Sequence, residues 1–291
     1  MKVATAAYQM DFLTSWAQYE DKLETWVGQA ARAGADLAVF PEYGAMELAT
    51  LSGRDVAADL EQSLSAVSDR LADADALHQK LAASHGLHIL AASGPAATQT
   101  RPVNRARLFA PGGRKGVQDK QIMTRFERDV WRIQGGGPLQ IFDTDLGKIG
   151  VLICYDAEFP LLGRALADCD LLLVPSCTEQ LSGYWRVRIG AMARALETQC
   201  VAIMSSLVGK APWSEAVNIT TGTGGVFGPP DVGFPPDGII ALGEIGSPGW
   251  TFAEIDLASI ANVRTDGRVL GRRHWTEQKG RENAAPIVNM R

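Results

Sequence analysis

Apolar residues fill the opening run from Lys2 to Met10 almost without interruption, the pattern of a strand covered on both faces. At Trp16, Tyr19, Leu23, Trp26, Val27 and Ala30 the spacing changes to that of an amphipathic helix, and Gly34 stops it. Asp36-Leu37-Ala38-Val39-Phe40 predicts a second strand, which ends at Pro41-Glu42. Leu60, Leu64, Val67, Leu71, Ala74 and Leu81 predict another helical stripe. A strand over His88–Ala92 leads to Arg107-Leu108-Phe109-Ala110 and the turn Pro111-Gly112-Gly113.

The second half repeats the theme. Lys148–Ile153 predicts a strand, a helix follows from about Leu161, and Asp170–Ser176 predicts another strand. That last stretch echoes Asp36–Glu42: an acid, four apolar residues, a proline and a polar residue. A helix then carries Ile189, Met192, Ala193 and Leu196 on one face, and Val201–Met204 is the next strand. Strands alternating with helices imply βαβ-type units and sheets covered on both faces. From Gly209 to Gly238 the chain is rich in Gly, Pro and aromatics, as in turns and short strands beside a pocket or interface. No domain boundary is visible, and residues 1–291 read as a single domain.

Composition narrows the function classes. The chain is 46% hydrophobic and 21% charged, with a net charge of -5 and no Lys/Arg block. A nucleic-acid surface would need a basic patch, so no nucleic-acid partner is expected. No apolar run approaches the ~20 residues of a membrane span, and the N-terminus makes a poor signal peptide. The expectation is a cytoplasmic protein without a membrane partner. The 4 Cys (Cys154, Cys169, Cys177, Cys200) form no CxxC pair, and no ligand cluster calls for a metal or another cofactor. Cys169, Cys177 and Cys200 are expected to be buried apolar residues.

Glu42 and Cys154 each stand where an apolar strand meets a loop, at its carboxyl end, the usual place for ligand sites in α/β proteins. Taken singly, the first could be a solvated carboxylate and the second an inert thiol. Together they suggest more, because a nucleophilic thiol needs a base or a nearby cation. Only 4 histidines are present. His78 and His85 continue a helical stripe, His88 opens a buried strand, and His274 lies in a C-terminal segment. A carboxylate base with a lysine is the natural alternative.

Phe40-Pro41-Glu42, then Asp119-Lys120, then Ile153-Cys154-Tyr155-Asp156-Ala157-Glu158-Phe159-Pro160 resemble, in order and spacing, the three signatures of the nitrilase or carbon–nitrogen hydrolase superfamily. The resemblance extends over nearly the whole chain, including Arg194–Cys200 and Phe252–Asp256 through Val263-Arg264. It implies an α/β (α+β) fold of the four-layer αββα sandwich type, paired into homodimers or larger assemblies. A C-terminal segment from about residue 275, with Ala284–Val288 apolar, is available to pack on a neighbouring subunit. The resemblance also implies roles: Glu42 as base, Lys120 and the Tyr155 backbone N–H at the oxyanion, Cys154 as nucleophile. Glu127 resembles a second glutamate that orients the lysine or the water, though its charged surroundings also fit an ion pair on a loop. Trp185 and Arg186 are candidate pocket residues. Asp156 and Glu158 are read as charges favouring the positive end of the following helix.

The expected reaction is hydrolysis of a small-molecule amide, in preference to a nitrile, through an acyl-enzyme. An N-acyltransferase on the same scaffold and a catalytically silent binding module are the alternatives. The chain departs from the common pattern at Gln121-Ile122-Met123, where many members have a histidine, and at Leu161, where a glutamate is frequent.

Overall fold

In the computed structural model, which describes residues 1–281 and 283–291, the opening apolar run forms β1 (Lys2–Tyr8). α1 (Trp16–Arg32) follows, with the Ser15 hydroxyl accepting the Gln18 N–H at its start. Next come β2 (Leu37–Val39), α2 (Arg54–Ala58), α3 (Leu60–Ser68), α4 (Leu71–His85), β3 (His88–Ala96), β4 (Val103–Phe109) and β5 (Lys115–Asp119). The chain continues through β6 (Ile141–Thr144), β7 (Gly147–Val151), α5 (Pro160–Ala165), β8 (Leu171–Ser176), α6 (Leu181–Thr198) and β9 (Val201–Leu207). Short strands follow: β10 (Gly209–Lys210), β11 (Ile219–Thr220), β12 (Gly225–Phe227), β13 (Ile239–Leu242) and β14 (Gly249–Glu254). α7 (Leu257–Asp266) comes after them.

β1 is the seam of the fold. It runs parallel to β2 at Val3–Thr5, antiparallel to β14 along Lys2–Ala7, and meets β9 only at Ala7 and Tyr8. The 12-stranded sheet, in the order β5-β4-β3-β2-β1-β9-β8-β7-β6 with β14 beside β1 and β12 and β13 beyond β9, is thereby two layers joined along a narrow strip. Alternate residues go separate ways, as the two-residue period of a strand requires. Val3, Leu37, Val39 and Leu90 pack with Ile149, Val151 and Leu173 of the other layer. Ala4, Ala38, Ile89 and Ala91 face Leu23, Val27, Leu64 and Leu81 of the helices. The order helix, sheet, sheet, helix is the expected αββα sandwich.

One element differs from the pattern reading, and a second shows what the pattern left open. The stripe from Leu60 to Leu81 is two helices, broken where the Arg70 N–H reaches back only three residues to the Val67 carbonyl. The apolar face of α6 points outward: Ile189 is 62% and Leu196 49% exposed. Its inner face carries Tyr184, Val187 and Arg188 and then, where it meets the Cys154 turn, small residues and arginine: Gly190, Ala191, Arg194 and Ala195, all buried. A Cβ at Gly190 would stand 2.7 Å from the Ala157 carbonyl oxygen, so the close approach needs glycine there. Arg194 then donates to that same carbonyl at 2.9 Å and pairs with Glu197. Periodicity marks a helix here, but close packing against the turn after Cys154 decides which face goes inside.

Candidate active site

Three strand ends converge. After β2 the chain stays extended through Phe40, whose N–H reaches Leu90, and Glu42 follows the proline. After β5 the Lys120 N–H bonds the Asn104 carbonyl. After β7 the Leu152 N–H bonds Leu173, and the backbone then turns sharply at Cys154, whose φ of 51° lies in the left-handed region. A non-glycine residue there carries strain, which gathers at functional sites. Glu42, Lys120, Glu127 and Cys154 are all buried and all line one cavity of about 430 Å³.

Lys120 is the hub. Its Nζ donates to Glu42 Oε1 at 2.7 Å and to both oxygens of Glu127 at 2.8 and 2.6 Å, so three carboxylate oxygens take its three N–H bonds. Glu127 also accepts the Tyr43 hydroxyl at 2.6 Å and the Thr124 N–H at 2.9 Å. Glu42 accepts the Asn104 side-chain amide at 2.9 Å. The Cys154 thiol points to the Cys177 carbonyl at 3.6 Å.

These contacts set the protonation pattern. Burial pushes the Glu42 carboxyl up to about 7, with Lys120 opposing and Glu127 reinforcing the rise. Burial disfavours the charged Glu127, but Lys120, Tyr43 and Thr124 outweigh it and hold its carboxyl below the ordinary range. Burial also works against the Lys120 ammonium, yet the two glutamates keep it charged and raise it well above the usual lysine value. The Cys154 thiol is raised by burial and by Glu42, with Lys120 opposing. The resting arrangement is therefore a neutral thiol beside a carboxyl poised near neutrality. Such a carboxyl can both take and return a proton near pH 7.

A carbon-nitrogen hydrolase family model matches residues 2–265. The chain belongs to that family. Among its relatives, the probable hydrolase YhcX of Bacillus subtilis is 32% identical over 272 residues, covering 92% of this chain and 52% of that protein. The omega-amidase YafV of Escherichia coli K12 is 29% identical over 170 residues, covering 56% of this chain and 66% of YafV. The deaminated glutathione amidase of Yersinia enterocolitica is 35% identical over 97 residues, 32% of this chain and 33% of that enzyme. The chain thus spans about half the length of YhcX and a third of the glutathione amidase. In fold it resembles a variant of the Nesterenkonia amidase that carries acrylamide on its active-site cysteine, with a TM-score of 0.70, 19% identity, and coverage of 91% of this chain and 97% of that one. A carbon-nitrogen hydrolase superfamily protein of Xanthomonas campestris with an arsenic adduct in its active site superposes with a TM-score of 0.72 at 17% identity, covering 99% of both chains.

The sequence-derived residues fall into two groups. Glu42, Lys120, Glu127 and Cys154 meet, and the reading of Glu127 as a loop ion pair gives way to a buried glutamate with four donors around it. Tyr155 and Arg186 line the same cavity. Trp185 does not: it is 42% exposed, and its ring meets the Arg188 guanidinium at 4.7 Å. Trp185 and Arg186 point about 100° apart on α6, and only Arg186 is turned to the cavity.

Three further residues have other roles than the sequence reading gives them. Asp156 is no solvated helix charge but a buried carboxylate that accepts the N–H groups of Gln121, Ile122 and Ile153. Glu158 lines the cavity and pairs with Arg186. Cys177 lines the cavity and supplies the carbonyl that meets the Cys154 thiol, whereas Cys169 and Cys200 are buried as expected. Thr124, Tyr43 and Asn104 were missed because hydroxyls and amides carry no sequence signal until the fold places them. Gly209–Gly238, read as lying beside a pocket, contributes Glu215 through Thr220 to the cavity wall. Among the described residues no group of His, Cys, Asp and Glu could hold a metal, and no helix is long and apolar enough to cross a membrane.

Proposed function

We propose that the protein hydrolyses an amide-type carbon–nitrogen bond of a small molecule through a thioester on Cys154. The observation that carries this reading is the Lys120 ammonium bridging Glu42 and Glu127 at the floor of the Cys154 cavity.

In this reading Glu42 takes the thiol proton as the Cys154 sulfur attacks the carbonyl carbon. Taking that proton neutralises Glu42 and weakens its hold on Lys120, one of whose three N–H bonds is then free to turn to the developing oxyanion. Stabilisation thus grows during the reaction, the condition for lowering the barrier. A preorganised donor of this kind is worth about 3 kcal/mol, and the Tyr155 N–H is a second donor. Glu42 returns its proton to the nitrogen, which leaves as ammonia or an amine. Ionised again, it takes a proton from water, the hydroxide attacks the thioester, and the acid departs as Cys154 recovers its proton. Glu127 holds Lys120 throughout.

Amides fit better than nitriles, because a leaving amine needs the proton that Glu42 carries, whereas a nitrile expels nothing in its first step. The outward apolar face of α6 supports assembly as a homodimer or larger homo-oligomer. A panel of small amides, ω-amides, carbamoyl amino acids and nitriles, followed by release of ammonia or amine and by acid formation, tests the reading. Amide turnover with poor nitrile turnover is expected. Nitrile hydrolysis without amide turnover defeats it, and acid formation replaced by amide exchange when an amine is added points to acyl transfer.

A further inference from the structure

The triad forms the floor of the cavity, and the balance of charge on its walls is negative. Beyond Glu42, Lys120 and Glu127, the charged side chains that line it are Glu158, Glu179, Glu215 and Arg186. Arg186 stands beside Glu158, its Nε 3.4 Å from Glu158 Oε1. Glu179 and Glu215 are exposed residues at the opening, and neither has a salt-bridge partner among the described residues. Glu179 stands one residue before the N-cap of α6, and Glu215 lies in the segment between β10 and β11. Two carboxylates without a salt-bridge partner among the described residues thus line the opening, and the one wall cation stands beside a third carboxylate. Phe126, also in the lining, adds an aromatic ring.

From this balance, and resting on the amide-hydrolase reading above, we infer that the pocket selects an amide whose acyl chain ends in a cation, an ammonium or guanidinium, over the ω-amide of a dicarboxylic acid. A carboxylate tail entering here meets Glu158, Glu179 and Glu215 against one guanidinium, which already stands beside Glu158. A cationic tail finds two acceptors and an aromatic face. At an opening this exposed, each carboxylate is worth a factor on the order of 3–10, and the effect shrinks as salt shortens the screening length.

Two measurements test this and keep it apart from the amidase reading. The first needs no turnover. Methanethiosulfonate reagents of similar size carrying a trimethylammonium, a hydroxyl or a sulfonate group are reacted with the enzyme, and modification of Cys154 is resolved from that of Cys177 by peptide mass spectrometry. Rates are divided by those of a free small thiol. The expected order is cation, neutral, anion, with a cation-to-anion ratio of at least tenfold at low salt. That ratio should fall severalfold in Glu179→Gln/Glu215→Gln and in 0.5 M salt.

The second measurement compares turnover of 5-aminopentanamide, pentanamide and glutaramate, which share a chain length and differ in the terminal charge. The same order, compressed by the double variant, supports the inference. Preference for glutaramate overturns it while leaving the amidase reading intact, and so does a charge preference that the double variant leaves unchanged. Charge-ordered labelling of Cys154 with no amide turned over supports the pocket's selectivity and sinks the amidase reading instead.

Discussion

The Asp156 carboxylate accepts the backbone N–H of Ile122 at 2.9 Å, which ties the turn that carries the nucleophile to the loop that leaves Lys120. It accepts the Gln121 N–H at 3.1 Å as well, and the Ile153 N–H from its own turn. Cys154 and Lys120 come from opposite layers of the sandwich, so this buried carboxylate is what holds their spacing.

Asp156→Asn should therefore fold but turn over poorly. An amide offers one acceptor oxygen where the carboxylate offers two, and its NH₂ faces backbone donors. Stability should fall by about 1–3 kcal/mol. The larger effect should be on kcat, about 10²-fold, since a misplacement on the order of 1 Å costs that much, with KM changed little. Wild-type kcat in the folded variant would show that Asp156 only supports the fold.

The pH profile should report Glu42. A protonated carboxyl cannot take the thiol proton, so kcat/KM should fall as pH drops through about 7, the value to which burial raises Glu42. Glu127 pushes that value up, so Glu127→Gln should move the acid limb to lower pH. Lys120→Met should move it to higher pH, measured on whatever residual rate remains. An acid limb unmoved in both variants would assign it to another group.

The same carboxyl has a cost in stability. Its folded value of about 7 lies above the ordinary 4.5, so the folded chain binds that proton more tightly than the unfolded one. The associated stability is fully present below about pH 4.5 and is lost as pH rises through about 7. Glu42→Gln, whose side chain can still accept from Lys120 and donate, should be inactive yet more stable at pH 8 by up to about 3 kcal/mol. The gain should vanish near pH 5. Denaturant unfolding at the two pH values checks it, and an equal or larger gain at pH 5 would contradict it.

Leu181, Trp185, Ile189 and Leu196 form an exposed stripe on α6, with Leu161 exposed on α5. Patches of this kind mark interaction sites. Light scattering at micromolar concentration should show a homodimer or larger, and Ile189→Asp should shift it toward monomer. A wild-type monomer would contradict the expectation.

What was legible in the chain follows from how each feature is encoded. β1, β2, β7, β8 and β9 are near-continuous apolar runs, and the residues ending β2 and β7 stand where the chain becomes polar, so Glu42 and Cys154 could be read locally. Lys120 required the resemblance, because nothing around it distinguishes a buried ammonium from a surface one. Asp156 was misread, since its partners are backbone N–H groups 34 and 35 residues away, which no local pattern records. α6 was read as a helix with Ile189, Met192, Ala193 and Leu196 on one face, because periodicity gives a face without saying what that face meets. Trp185 and Arg186 illustrate the same point: adjacent in sequence, one faces out and the other into the cavity.

The most direct test of the central claim is the chemical state of Cys154 during turnover. The enzyme is mixed with its best amide from the panel, quenched in acid within the first turnovers, digested, and the Cys154 peptide weighed. The account predicts a mass increase equal to the acyl group on Cys154, formed in step with an initial burst of ammonia or amine. Both signals should be lost in Cys154→Ala, which remains folded. More than a trace of amine release by Cys154→Ala, or an acyl group found on another residue, would contradict it.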